Sequence, residues 1–529
     1  MKILLVGINS KYIHPAMGIF QIVANSKVPI TWKEFTIKDK TETIVQKIAS
    51  DNYDIIGFSV YIWNIEKVKE VIRNLPSKAI FLLGGPEASY RPDLMFLDQR
   101  IHYIIKNEGE EAFNELVEYL SGQRDIRSVS NLYYRENDKI AYTYDILPDL
   151  CNVAHNQELV GDFKNRVLYL EASRGCPFRC SYCLSSLEKQ VRYFDLASVL
   201  AQIEAAFDKG VKTVKFLDRS FNINQDNMRK ILGFIRDHDN GQTVFQFEII
   251  GDYLEAETIA LIKTLRRGQI RFEIGIQSTN PKTTKAVSRV QDFSKLKNNV
   301  DLIKNNVVIH LDLIAGLPYE DKKRFIRTFN QAFALQADEL QLGFLKELQG
   351  TAISNTKTLH DYVFFELSPY EIIQNKYISA IELEEIRIVE RALNRYYNSH
   401  IFERTCAFLF SKHKLNPYHT FLKIGRGMIK GMQPDALAQH FFLSLKDDLN
   451  EDLLFVIKQD YLLQKQMKPK IWWSCEIDRQ ERLKIYQEFV RVYPELNLDF
   501  LYRYGHLEKS KNKYFLVTYK PQALYFYEQ

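Results

Sequence analysis

Three cysteines fall within eight residues of this chain, in Cys176-Pro-Phe-Arg-Cys180-Ser-Tyr-Cys183, directly after Glu171-Ala-Ser-Arg-Gly175. Only Cys151, Cys406 and Cys475 remain among the other positions of the 529-residue sequence. Cysteines spread so unevenly do not make a disulfide scaffold, whereas thiolates at C-x3-C-x2-C spacing can reach one metal centre together. Structural zinc is closed by four protein ligands. A four-iron, four-sulfur cube held by three cysteines keeps one iron open for a substrate or cofactor, and thiolate-rich donors favour such clusters. The expectation is a [4Fe–4S] cluster on Cys176, Cys180 and Cys183, kept reduced in the cytoplasm.

With this spacing the chain resembles the radical S-adenosylmethionine (SAM) superfamily. The resemblance implies that the open iron is chelated by the amino and carboxylate groups of SAM. One electron, from a donor such as flavodoxin or ferredoxin, then cleaves SAM to methionine and a 5′-deoxyadenosyl radical.

A chain of this length is expected to divide into two to four domains. Its 46% hydrophobic content and freedom from low-complexity tracts point to folded material throughout. No apolar run approaches the roughly 18 to 20 residues that cross a bilayer, so no membrane association is expected. Met1-Lys-Ile-Leu-Leu-Val-Gly7 reads as a buried first strand, being too short for a signal-peptide core. The net charge of +5 resides wholly in residues 401–529, with 20 basic against 15 acidic side chains. That excess suits either an RNA-binding face or ordinary solvated lysines.

Residues 1–125, within a domain expected over 1–147, alternate short apolar runs (Ile3–Ile8, Ile55–Val60, Ala79–Leu83) with amphipathic segments such as 68–75. This rhythm predicts a doubly wound parallel sheet, Rossmann-like, with its ligand beyond the C-terminal strand ends. The loops there are Asn9-Ser-Lys, Ser59-Val-Tyr-Ile-Trp-Asn64, Gly84-Gly-Pro-Glu-Ala-Ser89 and Asn107-Glu-Gly-Glu-Glu-Ala112. The set resembles the cobalamin-binding domain found upstream of one branch of the superfamily. Carried over by position, that resemblance places Ser59, Asn64, Gly84, Gly85, Pro86, Glu108 and Gly109 against the corrin and its nucleotide tail. The Asp-x-His-x-x-Gly loop that supplies a cobalt-ligating histidine in other cobalamin domains does not occur. His14 is followed by Pro15 and has no aspartate two residues before it, so cobalamin without a histidine ligand is expected.

After a linker over 148–165, six strand-and-helix units are expected over 166–355: Val167–Ala172, Val211–Leu217, Val244–Ile250, Ile270–Ile276, Val308–Ile314 and Glu339–Leu345. They predict a partial (β/α)6 barrel with chemistry at the C-terminal strand ends. The family resemblance implies that Glu248, Gln277, Arg289 and Asp312 contact SAM, with Arg289 pairing the methionine carboxylate. A planar guanidinium suits bidentate carboxylate binding, and carboxylates suit ribose hydroxyls and an ammonium. The glycine-rich loop used by many members after the second strand is replaced here by Asp218-Arg-Ser-Phe-Asn222.

A helical connection is expected over 356–399, with an amphipathic helix at 377–396. A small α+β domain follows over 400–529, ending in a hairpin around Lys520-Pro521. In the order of its parts the chain resembles cobalamin-binding radical SAM proteins with a C-terminal domain of unknown function. The activity implied is methyl transfer to an unreactive carbon through a 5′-deoxyadenosyl radical and methylcobalamin. Alternatives are a cobalamin-dependent rearrangement or cyclisation, and RNA modification without bound cobalamin.

Overall fold

The computed structural model describes residues 1–529 apart from 77, 156, 448–449 and 475–476; Cys475 thus lies outside the described residues. The chain forms two compact units, residues 1–321 with 343–379, and 322–342 with 380–529.

The first unit opens with β1 (Ile3–Asn9), β2 (Thr31–Thr36), β3 (Ile55–Ser59), β4 (Ile80–Gly84), β5 (Ile101–Ile105), β6 (Leu132–Glu136) and β7 (Lys139–Tyr142). They form one sheet in the order β2-β1-β3-β4-β5-β6-β7. The first five are parallel, and β6 and β7 are antiparallel. In β1 and β3 nearly every residue is buried, as expected of parallel strands covered by helices on both faces. The helix Ile65–Asn74 supplies one cover, burying Ile65, Val68, Val71 and Ile72 at helical spacing. Four of these strands escape the sequence reading. β2 is largely part-exposed and has no apolar run. The β6–β7 hairpin turns on Asn137 and Asp138, both at positive φ, the backbone of a two-residue turn.

The second sheet of this unit begins with β8 (Leu168–Leu170). Next, β9 (Ser173–Arg174) and β10 (Arg192–Tyr193) form a separate antiparallel ladder that closes the cysteine loop. β11 (Thr213–Phe216), β12 (Val244–Ile249), β13 (Ile270–Gln277), β14 (Val308–Ala315) and β15 (Glu339–Phe344) follow, and the sheet runs β15-β14-β13-β12-β11-β8. Pairing from β8 through β14 is parallel. The boundary between the units falls within β15, whose Gly343–Phe344 end belongs to the first. The single strand expected over 167–172 breaks after Leu170. Buried Asp218 draws the chain out of the sheet there, accepting hydrogen bonds from Ala172 N at 2.9 Å and Ser173 Oγ at 2.5 Å.

Arg166 joins the two sheets, making a bidentate pair with Glu34 of β2 at 2.7 and 2.8 Å. The second unit is mainly helical and ends in a three-stranded antiparallel sheet. The expected hairpin pairs Lys513–Tyr519 with Gln522–Glu528, and a further strand, Gly505–Ser510, flanks it.

Candidate active site

The cysteine loop leaves β9 through Gly175, at φ +92°. A Cβ there would lie 2.1 Å from Gln190 O, so the loop's two limbs approach too closely for any other residue. Cys176 and Cys180 are buried and Cys183 partly so, all as free thiols. Ser220 Oγ donates to Cys176 Sγ at 3.9 Å, and Arg289 Nη1 to Cys180 Sγ at 4.0 Å. Burial pushes the Cys176 thiol up, and the neighbouring Cys183 and Cys180 add to this. Three thiolates here therefore need a cationic centre, which iron supplies. Among the described residues no three His, Cys, Asp or Glu side chains converge on a single-ion site; a cube gives each cysteine its own iron. Soft donors with N–H and O–H groups aimed at sulfur fit such a cluster. Cys151 is exposed, and Cys406 is buried in the second unit.

The strand ends bring the expected SAM residues into two groups. Arg289 donates to Gly275 O, to Gln291 Oε1 at 3.0 Å and to Tyr182 OH at 3.4 Å. Gln277 lies beside it at φ +64° after a bulge in β13. A Cβ on Gly275 would lie 2.3 Å from Gln277 Nε2 and 3.4 Å from Arg289 Nη2. Gln277 Oε1 is buried without a hydrogen-bond partner, so a donor from a bound ligand fits there. In the second group Glu248 pairs with Arg219 at 3.2 Å, and Asp312 lies 3.2 Å from His310. Burial pushes the Glu248 carboxyl up; Arg219 opposes this, while Glu273 and Asp312 reinforce it. Arg219, Tyr182 and His310 were not found from sequence. Of these only His310 carries a signal, standing with Asp312 between the buried apolar residues Ile309, Leu311 and Leu313 of β14; Arg219 and Tyr182 lie in loops, where no periodicity marks them.

Between the two sheets of the first unit lies a cleft of about 280 Å3. Ser59, Gly84, Gly85, Pro86, Glu108 and Gly109 line it from the first sheet, and Glu171, Arg174 and Leu217 from the second. Its mostly apolar lining, with a glycine gap, suits one face of a flat ligand. The two glycines differ. A Cβ on Gly84 would have only Ile105 O nearby, at 3.8 Å, whereas one on Gly85 would strike Val60 O at 2.7 Å. The gap that a ligand can use is at Gly84, and Gly85 serves the turn. Asn64, expected at the corrin, is not a lining residue. Its buried side chain donates to Ile8 O and Ser59 O and accepts from Tyr61 N, tying the loop to the sheet. Glu108 lines the cleft but gives its carboxylate to Arg174 and Arg192. Among the described residues no histidine lines the cleft; His14 bonds Tyr169 OH at 2.7 Å.

Comparison with known proteins accounts for this layout. The model of the B12 binding domain matches residues 3–117, and that of the radical SAM superfamily residues 170–332. A domain of unknown function, DUF4080, matches residues 358–516. The chain is a B12-binding radical SAM protein. Its cofactors are a [4Fe–4S] cluster, SAM and cobalamin, and it is an enzyme that depends on them.

Among relatives of this radical SAM protein is the uncharacterized methyltransferase PH0819 of Pyrococcus horikoshii. It is 23% identical over 335 residues, which cover 59% of this chain and 70% of that one. The chain spans 55% and 54% of the next two curated relatives. In fold it is similar to the methyltransferase TsrM from Kitasatospora setae, solved with cobalamin and a [4Fe–4S] cluster. The TM-score is 0.55 at 16% identity, covering 68% of this chain and 76% of TsrM. The cobalamin-dependent SAM radical enzyme OxsB also has a TM-score of 0.55, at 13% identity, over 93% of this chain and 75% of OxsB. No helix among the described residues is long and apolar enough to cross a membrane.

Proposed function

We propose that this radical SAM enzyme methylates an unreactive carbon. The observation behind this reading is the shared wall of the cleft: Glu171, Arg174 and Leu217 at the barrel strand ends face the loops of the B12 domain across it. Methyl transfer to a substrate radical needs the corrin and the target carbon within one enclosure. When bound, cluster and SAM supply a 5′-deoxyadenosyl radical, and cobalamin supplies a transferable methyl group. The protein's own part is placement. Arg289, beside Cys180, offers a guanidinium for a carboxylate next to the cluster, and Gln277 Oε1 accepts a donor in the same recess. Glu248 and Asp312 offer acceptors across the barrel mouth. The name of PH0819, an uncharacterized methyltransferase matched over 70% of its length, agrees with methyl transfer.

The test uses anaerobically reconstituted protein, methyl-labelled SAM and a cell extract. Methylation through both cofactors yields equal amounts of 5′-deoxyadenosine and S-adenosylhomocysteine, with label in one methylated product besides the methionine released by SAM cleavage. Formation of 5′-deoxyadenosine alone, with no label transferred, would replace methyl transfer by rearrangement or cyclisation.

A further inference from the structure

The ladder that closes the cysteine loop contains a conflict. Of its two directly opposed pairs, one sets Arg174 on β9 against Arg192 on β10. Like charges facing one another across an antiparallel pair push the strands apart. Glu108, on the loop after β5, is bonded to both. Arg174 Nη1 donates to Oε2 at 2.7 Å, and Arg192 donates to Oε1 through Nη2 and to Oε2 at 3.4 Å through Nη1. Each arginine also has a partner near in sequence: Glu171 for Arg174 at 2.8 Å and Glu188 for Arg192 at 2.6 Å. Arg174 further meets Glu110 at 2.9 Å. Among the described residues, Glu108 is the carboxylate with an ion pair to both guanidinium groups.

These side chains are 12–13% exposed, so water does little to screen the two cations from each other. Without Glu108 each arginine would keep a carboxylate of its own, Glu171 and Glu110 for Arg174 and Glu188 for Arg192, but no carboxylate would be bonded to both opposed guanidinium groups. Glu108 is also held firmly from its own side. The preceding Asn107, at φ +59°, donates through its backbone N–H to Ser89 Oγ at 3.2 Å and through Nδ2 to Asp145 Oδ1 at 3.0 Å, and its Oδ1 accepts from Tyr90 OH at 3.1 Å. The carboxylate is thus presented to the cysteine loop by a braced segment of the B12 domain, one that also lines the corrin cleft.

We propose that Glu108 is a positioning residue for the iron–sulfur loop: the B12 domain closes that loop by placing one carboxylate between two opposed arginines. Retention of the cluster then depends on a residue outside the barrel, at the cleft wall. The inference rests on the cluster assignment and is independent of methyl transfer.

The experiment uses the full chain, reconstituted with iron and sulfide without oxygen, and follows iron release to a chelator together with iron per chain. Glu108→Gln keeps the size of the side chain and removes its charge; we expect iron release at least fivefold faster than wild type. Glu108→Gln with Arg192→Gln removes the repulsion as well, and its release should return to within twofold of wild type. If Glu108→Gln cannot be purified folded while the double variant can, the proposal is equally supported. Wild-type iron release in Glu108→Gln overturns it, as does a double variant no better than the single one. A wild-type chain that takes up no iron would instead overturn the cluster assignment.

Discussion

The two sheets of the first unit share a strand-and-helix rhythm and use it in opposite ways. In the B12 domain, β1 and β3 are apolar on both faces, so polar contacts to a ligand come from the loops beyond them. In the barrel, β12, β13 and β14 alternate fully buried residues with partly exposed ones. The buried set, including Phe247, Phe272, Ile274 and Leu311, forms the apolar face. The other set puts Glu248, Glu273, His310 and Asp312 on one inner surface, where Lys215 of β11 pairs with Glu273 at 2.8 Å. One region borrows its chemistry from turns, and the other builds it into strands. Substitutions should therefore fail differently in each.

The largest effect belongs to the cysteine loop. Cys180→Ala should abolish both iron binding and 5′-deoxyadenosine formation, as should Cys176→Ala and Cys183→Ala, while Cys151→Ala keeps the iron content of wild type. Full iron in any of the three would remove the barrel's central feature. The next effect separates the paired glycines Gly84 and Gly85 at the cleft wall. Gly84→Val has room in the fold and should lose cobalamin while keeping iron and an unchanged circular dichroism spectrum. Gly85→Val collides with the Val60 backbone from a positive φ and should lose cobalamin together with ordered structure. Equal behaviour of the two would erase the distinction between a ligand-facing gap and a strained turn.

A smaller effect is expected at Arg289. Arg289→Met should weaken SAM binding by about 1.5–3 kcal/mol, the scale of a charge-assisted hydrogen bond, with the cluster spectrum retained. Unchanged SAM affinity would leave Arg289 as a brace for Gly275 and Cys180 only.

The smallest is a protonation. Burial raises Asp218 from 3.8 to about 7, so the folded chain holds a proton there that the unfolded chain releases. Its penalty on the fold is absent below about pH 4, grows as the pH rises and is complete above 7. Infrared difference spectra between pH 6 and 8 should contain a protonated carboxyl band that Asp218→Asn removes. A band that persists in the variant would assign the proton elsewhere.

The same contrast explains what could be read from the sequence. Barrel strands announced themselves because Val244–Ile249 and Ile270–Gln277 alternate in polarity, and the polar positions Glu248 and Gln277 fall at strand ends where cofactors bind. The cysteine spacing is local and needed no fold at all. The B12 loops were legible only as a set, and there the reading was weakest. Asn64 and Glu108 are polar residues in the right loops, yet their partners (Ile8 O and Ser59 O for one, Arg174 and Arg192 for the other) become visible only after the chain has folded. Arg219 and Tyr182 were hidden for the same reason, since their roles depend on Glu248 and Arg289, distant in sequence. β2 had no apolar run to betray it.

The unit boundary inside β15 has a practical meaning for anyone cutting this gene. The helix Lys322–Phe333 buries Phe325, Phe329 and Phe333, and it falls with the C-terminal unit. There Phe329 meets Tyr418 and Phe421, while Phe333 meets Tyr397 and Phe410. A fragment ended at residue 355, where the sequence suggests a clean cut, would leave those rings without their neighbours and aggregate. The DUF4080 segment expressed alone would lack the same helix and be equally incomplete. Each piece needs the other's residues to be soluble, so dissection of this enzyme by truncation will report on exposed phenylalanines before it reports on function.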